Sequence, residues 1–408
     1  MASQLTAMIV AMFSTISFLP LGATATLADQ LLFLFVLLVA AKTGEEIFRR
    51  IKQPVVAGEI LAGVIVGPSV LGWIEPSAVI DVFAELGVIF LLFWVGLETR
   101  LSDIRAVGKP ASYSAVLGVI LPAVSGFALG QLWGKDTATS FFIGAALAAT
   151  SVGITSAILL ELRQLDTPAG RTILGAAVID DILALLLLAV ATGLAESGSV
   201  DLGEIAIIAA LAIAFVSFFA LGGTRVLRRW PQVLEAPKFA QSPLMPSVII
   251  CLGLAVLAAE IGLAAVIGAF LAGMMIAETK DQNAIESEIA PIYAFFAPFF
   301  FTTIGTQIDL SQFSDSGTVG LLLVLTTVAV VTKFVGASIG SLSLGRRNAL
   351  IVGVGAIPRG EVGIIVAGIG LSSGVIDDEL FAVVIGMSLI TTLIAPPLLK
   401  AAMGRSKS

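Results

Sequence analysis

Histidine is absent from these 408 residues, cysteine occurs once, tyrosine twice, and charged side chains make up only 12%. The missing imidazoles exclude histidine-ligated metal sites and Ser-His-Asp or Cys-His machinery. They also leave any pH response to carboxylates, lysine or the thiol. A lone Cys251 permits no disulfide within the chain. Soluble domains carry about 25% charged residues, so this chain lacks the polar material for a solvated shell. No Walker loop, dinucleotide fingerprint or basic nucleic-acid surface occurs. The residues point to no cofactor and to a transporter, not an enzyme.

What abounds is apolar: 58% of the chain is hydrophobic. Thirteen segments of spanning length run between Gln30 and Met403. The expected fold is an all-α polytopic membrane protein. Of the 22 lysines and arginines, all but Lys42, Lys135, Lys333 and Arg359 fall in loops after odd-numbered spans or in the C-terminal tail. Lys135 alone lies in a loop after an even-numbered span. This asymmetry predicts that the first span starts outside and that the C-terminus is cytoplasmic. Residues 1–29 read as either a cleaved leader or an extra N-terminal helix, since Met8–Leu21 is apolar but has no basic residue before it.

The chain repeats itself at an offset of about 210. Val56-Ala57-Gly58-Glu59-Ile60-Leu61-Ala62-Gly63 corresponds to Val266-Ile267-Gly268-Ala269-Phe270-Leu271-Ala272-Gly273. Gly126 and Gly130 correspond to Gly336 and Gly340, and Val152-Gly153-Ile154 to Val362-Gly363-Ile364. Ile179-Asp180-Asp181 aligns with Ile390-Thr391-Thr392. Seven spans separate the halves, an odd number, so the repeats are expected to be inverted in the bilayer. Inverted repeats are a signature of secondary transporters that alternate access around a midplane site.

Two spans at repeat-related positions look broken. The fifth carries Thr150-Ser151-Val152-Gly153-Ile154-Thr155 at mid-depth, and the twelfth carries Gly355-Ala356-Ile357-Pro358-Arg359-Gly360-Glu361. Pro358 removes a backbone donor and the glycines loosen the helix. The freed carbonyls and half-helix ends suit a small cation.

Charge gathers at the same depth. Asp180 and Asp181 lie mid-span in the sixth segment, Thr172–Leu194, where an ionised side chain costs about 2.5–3.5 kcal/mol on insertion scales. Together with Glu361, Lys333 and Arg359 they give a net charge of −1. One monovalent cation or one proton neutralises that cluster, so the two compete, which is antiport chemistry. Lys333 paired with Asp180 holds a proton, and releases it if a cation at Asp181 separates the pair. Two protons per cation would make exchange electrogenic; a purely structural Lys333 would make it one-for-one. Arg359 and Glu361 read as a fold-holding ion pair in the broken helix, because arginine keeps its proton. Lys42 with Glu45 and Glu46 reads as a snorkelling group near the inner end of the first span. Glu59, one turn inside the second, is a possible inner-funnel residue.

These residues resemble the cation/proton antiporter-2 family over nearly all of 31–399. The resemblance rests on Gln53-Pro54-Val55-Val56-Ala57-Gly58-Glu59, Ala149–Thr155, Gly175–Asp181, Lys333-Phe334-Val335-Gly336 and Pro358-Arg359-Gly360-Glu361. It implies a thirteen-helix homodimer. Scaffold halves at residues 30–98 and 244–310 flank a mobile core made of 111–195 and 317–403, with a linker helix at 203–230. It implies an elevator-like movement, with Asp181 as the Na+ carboxylate helped by Thr150 and Ser151, and Asp180 paired with Lys333. The Asp-Asp pair with lysine matches the electrogenic members, and the lack of Gln-Asp and of a cytosolic nucleotide-binding domain favours Na+ over K+. The expected function is therefore Na+/H+ antiport, with Li+ accepted, in a bacterial plasma membrane or a thylakoid. A K+/H+ antiporter or cation channel of the same fold, or a sodium-coupled organic-acid symporter, are the alternatives. No basic or aromatic cluster lines the site to serve an organic acid.

Overall fold

In a lipid interior every backbone N–H and C=O must find a partner within the protein, which favours helices for a chain this apolar. The computed structural model describes residues 27–74, 77–100, 106–197, 202–229, 244–279, 282–307, 313 and 316–404, and these are helical and loop without strands. The leader or extra helix expected over 1–29 lies, through residue 26, outside the described residues.

In chain order the helices are α1 Leu27–Arg50, α2 Val55–Val66, α3 Ala78–Leu97, α4 Gly108–Leu132, α5 Thr137–Ala148, α6 Val152–Glu161, α7 Pro168–Ser197, α8 Leu202–Ser217 and α9 Thr224–Arg229. They continue with α10 Leu244–Glu260, α11 Ala265–Ile276, α12 Gln282–Thr306, α13 Ser316–Gly340, α14 Arg346–Gly355, α15 Gly360–Ser372 and α16 Asp378–Met403. Among the described residues, eight helices are long and apolar enough to cross a membrane, with α5–α6 counted as one and α8–α9 as another. Others are shorter: α2 and α11 have 12 residues each and are buried along most of their length, so they face protein more than lipid. Helix α2 stops at Val66, although the apolar run of the second span continues to Leu71, because Gly67 and Pro68 follow. Between α8 and α9 the helix widens into a π turn at Phe218–Gly223, which the apolar pattern of that span does not signal.

Two packing groups stand out. Helices α1, α2, α3, α10, α11 and α12 pack on one another, and α4, α5, α7, α13, α14, α15 and α16 form the other set. The half-helix α6 lies against α3 of the first set, through a seam of Val88, Leu92, Ile154, Ile158, Phe270 and Phe300. On the outside, α8 presents Ile207, Leu211 and Ile213, and the π turn after it Phe218, the apolar face expected of a lipid-facing segment.

Helix α13 approaches α4 closely at Gly336 and Gly340, where a Cβ would lie 2.4 Å from the Leu117 carbonyl oxygen and 2.3 Å from the Ser114 nitrogen. Ser114 Oγ donates to the Ala337 carbonyl at 3.0 Å across that contact. One turn earlier on α13 sits Lys333, which this contact places against α4 and inside the protein.

At one end of the molecule, Asp377 caps α16 by accepting the Leu380 N–H at 2.8 Å and pairs with Lys135 at 2.9 Å. The Lys135 hydrogen bond holds the Asp377 carboxyl below the usual carboxylate range, against the opposing effect of burial. A carboxyl lowered on folding contributes stability above its unfolded value, near 3.9, and loses it as pH falls through the folded value. The melting temperature of the detergent-purified protein is therefore expected to fall on acidification below about pH 4, and Asp377→Asn, which keeps a capping oxygen, to remove its share of that fall. Melting curves across pH 3–7 check this.

Candidate ion-binding site

Both broken helices meet at their breaks. Residues 149–151 separate α5 from α6, and 356–359 separate α14 from α15. Ser151 is extended, and its Oγ accepts the Ile154 N–H at 3.4 Å, capping α6. The Ser151 N–H donates to the Pro358 carbonyl at 2.9 Å, so the two breaks are joined through main chain. Thr155 Oγ1 donates to the Gly355 carbonyl at 2.8 Å, at the end of α14. The Gly360 N–H donates to Thr392 Oγ1 of α16 at 3.3 Å. Gly360 has φ of +21°, and a Cβ there would lie 2.7 Å from Ser151 Oγ, so the crossing requires glycine.

The aspartates come from α7, beside this crossing. Asp180 is buried, and its Oδ2 accepts from Thr150 Oγ1 at 2.5 Å and from Lys333 Nζ at 2.7 Å. Lys333, itself 1% exposed, also donates to the Ala148 carbonyl at 2.7 Å, the last residue of α5. Asp180 Oδ1 is buried without a hydrogen-bond partner among the described residues. It borders a cavity of ≈ 20 Å³ lined also by Ser114, Thr150, Ser151, Thr155 and Lys333. That is room for one water or one bare monovalent cation. Consecutive helical residues point 100° apart, and Asp181 lines a different cavity, ≈ 10 Å³, with Leu92, Val152, Val178, Val266 and Phe270. This second cavity lies at the seam between the two packing groups.

Arg359 is fully buried. Its Nη1 donates to the Ala356 and Ile357 carbonyls at 3.0 and 2.9 Å, and its Nη2 to the Ala329 carbonyl at 3.0 Å. The Glu361 side chain, its expected partner, lies outside the described residues. Lys333 and Arg359 thus each place a cation on freed carbonyls where a half-helix ends, α5 and α14 respectively, complementing the negative ends of those dipoles. Glu59 is placed away from this cluster. It is 5% exposed and lines a cavity of ≈ 280 Å³ between α2, α12 and α6.

A model of the transmembrane sodium/hydrogen exchanger family matches residues 31–403. The chain belongs to the sodium/hydrogen exchanger family. It is 36% identical over 373 residues to the Na+/H+-K+ antiporter GerN of Bacillus cereus, covering 90% of this chain and 95% of that one. It is 36% identical to an Na+/H+ antiporter of Enterococcus hirae, covering 90% and 96% of the two chains. To the high-affinity Na+/H+ antiporter NhaS3 of Synechocystis it is 35% identical, covering 94% and 92%. The solved structure of the sodium proton antiporter MjNhaP1 from Methanocaldococcus jannaschii superposes with a TM-score of 0.67 at 19% identity, over 92% of this chain and 97% of that one, and so shares the fold. The chain is accordingly a multi-span integral membrane protein.

For this exchanger-family member, the geometry brings Asp180, Thr150, Ser151 and Lys333 around one cavity and Asp181 to the next, while Glu59 is apart. The Thr150 hydroxyl is on Asp180, the neighbour of the carboxylate it was expected to help. Sequence reasoning gave no role to Thr155, Thr392 or the Ala148 carbonyl. A signal existed for two of these: Thr155 closes the polar string of the fifth span, and Thr392 stands at the repeat position of the aspartate pair.

Proposed function

We propose that the chain is an Na+/H+ antiporter, with Li+ also accepted, in which Asp181 binds the cation and the Asp180–Lys333 pair couples it to protons. The observation that carries this reading is the buried Lys333–Asp180 contact, 2.7 Å, one residue from a second buried carboxylate at the crossing of two broken helices. Ionised groups at membrane depth are costly and are kept for ion and proton pathways. The relatives named as Na+/H+ antiporters support the substrates.

Alternating access by an elevator-like movement is supported by Asp181 lining a cavity at the seam between the two packing groups. Recurrent element sizes support the repeat: 12 residues in α2 and α11, 25 in α4 and α13. The homodimer through the scaffold helices, the outward start of α1 and a bacterial plasma or thylakoid membrane remain parts of the proposal, resting on the resemblance and on the placement of lysine and arginine.

The test is proton movement in proteoliposomes on adding Na+, Li+ or K+, with voltage imposed. Coupled movement that follows voltage is expected; none at all would turn the reading to a channel or an organic-acid symporter. A second reading, one-for-one exchange, is favoured by the Lys333–Ala148 bond, which gives the lysine a structural task. Lys333→Gln is expected to leave slower exchange that no longer responds to voltage, measured in the same vesicles. Unchanged voltage dependence in that variant would make the one-for-one reading of wild type untenable as well, and would move proton coupling off the lysine. K+ is included because one relative is named for it.

A further inference from the structure

We propose that Glu59 and Glu161 form a second cation site, an entry site for a hydrated monovalent cation, in the cavity between α2, α12 and α6; this rests on the antiport reading. The cavity is ≈ 280 Å³, against ≈ 20 and ≈ 10 Å³ beside the aspartates. At about 30 Å³ of liquid volume per water, it holds a cation together with several of its waters, which the aspartate cavities do not.

Its lining includes Glu59, a side chain buried in the protein but facing the cavity. Glu59 is 5% exposed, borders the cavity, and has no hydrogen bond or ion pair among the described residues. A carboxylate that faces a cavity without a protein partner leaves its oxygens open to a cation, a proton or water. Glu161 stands opposite, its two oxygens accepting the Val55 N–H at 3.1 and 3.3 Å, the first donor of α2. Glu161 thus caps the start of α2 from α6, and Glu59, one turn further along α2, borders the same cavity. The lysine of the cavity lining, Lys42, is already paired with Glu45 at 2.8 Å. Arg49 is shared between Glu45 and Glu46, and Lys400 donates to the Lys52 carbonyl.

The position suits a waiting ion. Helix α6 has 10 residues, so it spans about 15 Å, with Glu161 at the cavity and the Ser151 break at its other end. Between them lies the apolar seam, including Ile154, Ile158 and Phe300. A cation held at Glu59 is therefore separated from Asp181 by packed side chains, and the two sites fill in succession.

The test is ²²Na+ binding to the detergent-purified full chain. With Asp181→Asn, weak saturable binding is expected to persist, and to be lost in Asp181→Asn/Glu59→Gln. Absence of saturable binding in the single variant, or its survival in the double variant, would overturn the proposal. In vesicles of known orientation, Glu59→Gln alone is expected to raise KM for Na+ about ten-fold from the cavity's face, the scale of local cation enrichment by a charged cleft. The KM from the opposite face should move less than two-fold, and equal KM changes from both faces would overturn it. If wild type shows no Na+-driven proton movement, the antiport reading fails on that result alone, and the binding measurement still decides whether the site exists.

Discussion

Asp181→Asn is expected to abolish Na+-driven proton movement while leaving a monodisperse, folded protein. The change is nearly isosteric and removes one negative charge from a side chain 9% exposed, beside Leu92, Val152 and Phe270. A carboxylate and a monovalent cation 4 Å apart attract by about 4 kcal/mol at an effective dielectric constant of 20. That corresponds to a loss of roughly 10³-fold in cation affinity, enough to silence exchange at millimolar Na+. The control is Asp180→Asn, which strips Lys333 of its carboxylate partner and is expected to lower thermal stability as well as exchange. Proteoliposome assays read both. Exchange near the wild-type rate in Asp181→Asn would remove that residue from the site.

Arg359→Ala is expected to act on the fold before it acts on the ion. The guanidinium is fully buried and makes three hydrogen bonds, two to the end of α14 and one to α13. Its removal leaves three buried carbonyls short of a donor and the α14 dipole uncompensated. Hydrogen bonds to charged groups contribute about 1.5–3 kcal/mol each and do not add fully, so a loss on the order of 3–5 kcal/mol is expected. In a chain of this size that lowers the melting temperature by about 5 °C. The Na+ KM of the surviving protein should change less than three-fold. A large KM change with an unaltered melting temperature would instead make Arg359 part of the ion site.

Much of this was legible in the residues. Pro358 with Gly355 and Gly360 announces a break, because a missing donor and two residues without a Cβ leave the helix little to hold it. Thr150-Ser151 announces the other, through side chains that compete for backbone groups. Repeat matching then brings the two breaks together without coordinates. What the residues do not carry is rotation. Asp180 and Asp181 differ by 100° around α7; the pairing of Asp180 with Lys333 is expected from the sequence, but that Thr150 also turns to Asp180 and not to Asp181 depends on how α7 sits against α5. The same holds for Arg359: its charge reads from the sequence, but its carbonyl partners do not, since every residue offers a carbonyl. The early stop of α2 at Val66 follows from Gly67 and Pro68, which a hydropathy window averages away. The π turn at Phe218–Gly223 has no comparable signature.

The Asp180–Lys333 bond joins residues 153 positions apart. At about 5–20 residues per second, the ribosome delivers the lysine roughly eight to thirty seconds after the aspartate. Throughout that interval the two mid-span acids of α7 are without their lysine, in a solvent that rejects charge. The nascent helix therefore either enters the lipid with its acids neutral or waits beside the insertion machinery until α13 arrives. The pair can close only after the second half has been made, and a delay there prolongs the stage at which α7 is without its lysine.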